Sequence, residues 1–85
     1  MSFQCTLVTP DQALLDQPVY QVILPAYDGL LGILTNRAPM LARLSKGKLR
    51  IDVTAGSSQT FQIEGGVAQM LENKLTILTT KATPA

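Results

Sequence analysis

Hydrophobic residues recur at every second position along most of this chain, and turn signals break the pattern every few residues. That period fits extended strands, whose successive side chains point to opposite faces. Phe3, Cys5 and Leu7 alternate with Gln4, Thr6 and Val8. Leu49, Ile51 and Val53 alternate with Arg50, Asp52 and Thr54, and Phe61 and Ile63 with Gln62 and Glu64. Thr9-Pro10-Asp11, Gln17-Pro18, Tyr27-Asp28-Gly29, Lys46-Gly47-Lys48, Ala55-Gly56-Ser57-Ser58, Gly65-Gly66 and Glu72-Asn73 punctuate the series. Asp28-Gly29 is a hairpin signal, and Pro25 ends the strand before it because proline donates to no ladder. Gly32, inside Leu30–Leu34, suggests a bulge or a close backbone approach. Ala38–Leu44 is too short, and too interrupted by basic residues, for a helix.

This pattern predicts about 8–10 short strands and no helix. Such strands must bury one face against a second layer. The expected fold is all-β: a small antiparallel β-sandwich, or flattened barrel, formed by residues 1–85 as one domain. Residues 81–85 are expected to fray. The predicted core is Phe3, Leu7, Val22, Leu24, Ile33, Leu49, Ile51, Val53, Phe61, Ile63, Val67, Leu75 and Ile77.

Composition narrows the chemistry. The chain has 85 residues, one cysteine and no histidine. An internal disulfide is impossible, and the lone thiol fits a reducing compartment. No metal site and no cofactor are expected. Cys5 lies on the apolar face of its strand and reads as a small buried hydrophobe. The serines lie at the terminus or in turns, with no base but lysine near Ser45. Asp11 and Asp16 flank turns where aspartate serves the backbone. No catalytic residue is expected. The chain start, Met1 to Gln4, lacks the features of a signal peptide, and no segment approaches the roughly 20 apolar residues of a membrane span.

The net charge of +1 favours neither nucleic acid nor anionic lipid. Locally, every charge from Gly29 to Ile51 is basic (Arg37, Arg43, Lys46, Lys48, Arg50), whereas those before it are Asp11, Asp16 and Asp28. This asymmetry suits a contact surface, although solubilising side chains on strands and turns account for it as well. Gly29-Leu-Leu-Gly32 and Gly65-Gly66 lack the following helix of a phosphate-binding loop, so they are read as conformational glycines. Large apolar residues beside turns (Tyr27, Leu30, Met40) suggest docking, or else a cap on the open end of the sandwich.

The order of these features resembles the ε subunit of F-type ATP synthase, specifically its N-terminal β-sandwich domain, whose mitochondrial counterpart is called δ. The resemblance rests on "FQCTLVTPDQALLDQPVYQVILPAYDGLLGILTNRAPML", "KGKLRI" and "FQIEGGVAQMLENKLTIL". It implies a rotor subunit of the central stalk that does no chemistry itself and couples ion translocation to ATP synthesis. The implied partners are the γ subunit and the c-ring, with membrane contact only through the complex. It also implies that Asp28, Gly29, Leu30 and Leu31, with Asn36, Arg37, Ala38 and Pro39, face the ring. Gly32, Gly47, Gly65 and Gly66 are the structural glycines. The implied location is the cytoplasmic face of a bacterial inner membrane, with an organelle matrix or stroma as the other setting, and the isolated chain is expected to be monomeric. Two departures stand out. Thr35 and Arg37 replace the family's usual proline and histidine, and this sequence stops at Ala85, where many members continue into a helical hairpin. The alternative is a small β-barrel that binds nucleic acid or a ligand.

Overall fold

The computed structural model describes residues 2–85 and contains eight strands: β1 (Phe3–Val8), β2 (Ala13–Val19), β3 (Gln21–Ala26), β4 (Gly29–Ile33), β5 (Met40–Thr54), β6 (Ser57–Leu71), β7 (Lys74–Leu78) and β8 (Ala82–Pro84). Met1, cited above at the chain start, lies outside the described residues. The hydrogen-bonded order is β2-β1-β7-β6-β5-β3-β4, with β8 on β6.

The long hairpin of β5 and β6 builds both layers. Its Met40–Leu44 segment pairs with Gly66–Met70, and β6 there continues the sheet to β7, β1 and β2. At the other end, Arg50–Asp52 pairs with β3 and leads to β4, while Phe61–Ile63 pairs with β8. Burial changes phase where the hairpin passes between layers. Leu44 gives way to Leu49 and Ile51 on β5, and Ile63 to Ala68 and Met70 on β6.

Several expectations are corrected. β5 runs on through Gly47, and β6 through Gly65 and Gly66 with their positive φ, where the sequence signals would have ended both, so two 15-residue strands replace four short ones. The sheet is mixed, because β1 runs parallel to β7 from Gln4↔Lys74 to Val8↔Leu78. Pro25 lies inside β3, in an interruption of the β5 ladder between Ile23 and Ala26, where its missing N–H costs no ladder bond. Gly32 sits in a regular β3–β4 pair with Ile23, and a Cβ there would meet only the Gln21 side-chain nitrogen at 3.9 Å, so it marks no bulge. The tail, expected to fray, is paired as a strand: Ala82–Pro84 lies against Ile63–Phe61, and the Ala85 N–H donates to the Thr60 carbonyl at 2.9 Å.

Cys5, Leu15, Val19, Leu44, Ala68 and Met70 join the predicted core. Two predicted members do not reach it. Val53 is only partly buried, at a register shift between Asp52 and Thr54. Val67 is 39% exposed, because the positive φ angles of Gly65 (84°) and Gly66 (128°) turn it to the outer face.

Candidate docking surface

The β3–β4 hairpin turns at Tyr27 and Asp28 and re-enters its strand through Gly29, whose φ of 121° suits glycine. This tip is tied to β5. The Tyr27 N–H donates to the Arg43 carbonyl at 3.1 Å, and the Arg43 guanidinium lies 5.0 Å from the centre of the Tyr27 ring. That distance is within reach of a cation–π attraction. Beside it lies an open hollow of about 290 Å³, lined by Asp28, Gly29, Leu30 and Leu31 from the hairpin and by Leu41 and Arg43 from β5, among others. Tyr27 is 66% exposed, Leu30 76% and Leu41 73%, which makes this a concentration of apolar side chains in water.

Asn36, Arg37, Ala38 and Pro39 lie exposed in the β4–β5 loop and do not line that hollow. Asn36 has a φ of 63° and is held by the β6–β7 turn. Its N–H donates to Asn73 Oδ1 at 2.6 Å, and Asn73 Nδ2 donates to Asn36 Oδ1 at 3.0 Å. Just before it, the Thr35 hydroxyl donates to the Ser2 carbonyl at 3.3 Å.

The sequence reasoning missed part of this surface. Met40, singled out as apolar beside a turn, packs partly buried on the core, and its neighbour Leu41 is the exposed one. Alternation within β5 was the available signal. Asn73 was read as a turn residue and as part of the family pattern, with no sign of its bond to Asn36.

Groups with reactive potential are engaged structurally. Asp16 accepts hydrogen bonds from Gln4 Nε2 at 2.6 Å and from the Thr6 hydroxyl at 3.1 Å. Ser45 donates to the Pro25 carbonyl at 3.1 Å. Burial, with a smaller contribution from the negative charge of Asp16, pushes the Cys5 thiol up to about 12, so it stays protonated and inert near neutrality. Arg50 and Asp52 form an ion pair at 2.9 Å, and Lys81 and Glu64 a looser one at 3.8 Å. Among the described residues no three potential metal ligands gather.

A two-layer β fold whose polar side chains serve its own backbone, and whose apolar ones are offered at a hairpin, is a contact module. The family model described as "ATP synthase, Delta/Epsilon chain, beta-sandwich domain" matches residues 2–85, and the chain belongs to that family. It is 40% identical over 84 residues to the ATP synthase epsilon chain of Rhodopirellula baltica, covering 99% of this chain and 65% of that relative. It is also 40% identical over 78 residues to the epsilon chain of Chlorobium limicola, covering 92% of this chain and 89% of that one. Its fold superposes with a TM-score of 0.93, at 26% identity, on a chain in the cryo-EM structure of the Euglena gracilis mitochondrial ATP synthase described as OSCP/F1/c-ring, covering 98% of this chain and 53% of that one. The chain thus spans about two thirds of one of these relatives and about half of another.

Proposed function

We propose that this chain is a non-catalytic rotor subunit of an F-type ATP synthase, joining the γ subunit to the c-ring and turning with them. The family match along residues 2–85 carries this reading. The hairpin Asp28–Leu31 and the loop Asn36–Pro39 face the ring, and Gly47, Gly65 and Gly66 shape the strands behind them. The subunit acts by rigidity. Apolar burial supplies affinity, and the basic residues on the rim supply register and association rate. It sits at the cytoplasmic face of a bacterial inner membrane and touches the membrane only through its partners.

Co-elution tests the role. The purified chain, monomeric alone, is mixed with a γ-containing catalytic head stripped of its own ε subunit. Stoichiometric co-elution on size exclusion supports the reading, and separate elution of a folded chain overturns it. The ring assignment has its own test. Arg37→Glu weakens assembly onto a γ–c-ring subcomplex more than onto γ alone, and equal loss for both partners removes it.

A further inference from the structure

We infer that Asn73 is a positioning residue: through Asn36 it fixes the conformation in which the loop Asn36–Pro39 docks, an inference that rests on the ring-facing reading above. Asn36 and Asn73 are 37 positions apart in sequence, and each has a left-handed backbone, with φ of 63° and 59°. Asparagine tolerates that region better than most residues. The two side-chain amides then complete a reciprocal clasp. Asn73 accepts from the Asn36 backbone N–H at 2.6 Å and donates to the Asn36 side-chain oxygen at 3.0 Å. Asn73 is itself anchored, because its carbonyl accepts the Gln4 N–H at 3.0 Å. The β6–β7 turn therefore reaches over from one strand connection to hold another. Beyond the clasp, Arg37, Ala38 and Pro39 have no hydrogen-bond partner among the described residues, so the loop's direction depends on Asn36 and on the fixed φ of Pro39.

The turn alone does not require this side chain. Glu72 and Asn73 both have positive φ, 51° and 59°, the geometry in which glycine is favoured at the second position. Asn73→Gly therefore separates the two roles, keeping the turn and deleting the clasp. Asn73→Asp is the intermediate case: its carboxylate still accepts the Asn36 N–H but cannot donate to the Asn36 oxygen.

The experiment follows both variants by amide exchange in the isolated chain and by assembly onto γ alone and onto the γ–c-ring subcomplex. Asn73→Gly stays folded, and its melting point falls by no more than the loss of one net hydrogen bond explains. The Asn36 amide exchanges roughly fivefold faster, the factor expected for one net hydrogen bond. Assembly onto the γ–c-ring subcomplex weakens, and assembly onto γ does not. Asn73→Asp falls between Asn73→Gly and the parent chain. Unchanged Asn36 exchange in Asn73→Gly overturns the inference, as does a loosened loop with full assembly onto the subcomplex. Arg37→Glu tells the two failures apart. If it weakens ring assembly while Asn73→Gly does not, the positioning role fails and the ring-facing reading stands. If neither variant discriminates ring from γ, the ring-facing reading fails, and the docking role falls with it.

Discussion

A methyl group on Gly66 would run into the Leu78 carbonyl oxygen and the Thr79 Cα, and the φ of 128° would be strained for any L residue. Gly29 shares the strain, at 121°, but a Cβ there meets nothing within 4 Å. The pair separates backbone strain from steric overlap. Urea unfolding should show Gly29→Ala costing about 1 kcal/mol and Gly66→Ala about 3 kcal/mol or more. The double glycine was legible as a conformational signal in the sequence. Its partner was not. Thr79, buried, donates its hydroxyl to the Gly65 carbonyl at 2.6 Å across 14 positions, and local patterning carries no trace of so distant a bond. Cys5 makes a second prediction, about pH. Its thiol titrates near 9 when unfolded and near 12 when folded. Between those values the folded chain keeps a proton that the unfolded chain has lost. This contribution to stability is complete below pH 9 and falls as pH rises toward 12, by at most about 1.4 kcal/mol per unit. Urea midpoints measured against Cys5→Ala across that range should show the excess slope.

At the level of strands, alternation identified most of the inward faces but hid the length of β5 and β6. Each strand exchanges its faces partway along, and a period-two pattern that changes phase at glycines looks like two strands with a turn between them. The parallel pairing of β1 with β7 was invisible for another reason: alternation reports which face a residue takes and says nothing about which strand lies beside it. The last strand was missed because Lys81-Ala82-Thr83-Pro84 has no apolar period at all. It is ordered by backbone bonds to β6, in the register Ile63↔Ala82, Gln62↔Thr83 and Phe61↔Pro84. Those bonds make the contribution of β8 to the fold testable. Removing residues 82–85 takes away the Ala85–Thr60 bond at 2.9 Å and the contact of Ala82 with the core. The loss should be about 1–2 kcal/mol by urea unfolding, with faster amide exchange at Gln62, which lies opposite Thr83. An unchanged midpoint would mean that the strand adds nothing to the fold.

For the molecule as a whole, the question is why a domain of 85 residues leaves Leu30, Leu41 and Tyr27 in water when it has so little core to spare. Folding gains nothing from an exposed leucine, whereas association gains roughly 1.5–3 kcal/mol for each such side chain it fully buries. The hairpin half of this surface was legible because Asp28-Gly29 marks a tip. The β5 half was not, since Leu41 reaches the hollow only through the pairing of β5 with β3, at Ala26↔Leu44. If the surface exists for a partner, stability and assembly must respond differently when it is changed. The double variant Leu30→Asn, Leu41→Asn should keep its unfolding free energy in urea within about 0.5 kcal/mol of the parent, because both side chains are already exposed. The same variant should lower affinity for the γ–c-ring subcomplex at least roughly tenfold. That loss should persist at high salt, because apolar contacts are not screened, whereas the effect of Arg37→Glu should shrink there. A variant that unfolds instead would show that these leucines serve the fold. One that stays folded and assembles normally would show that the hairpin surface is not where the rotor partner sits.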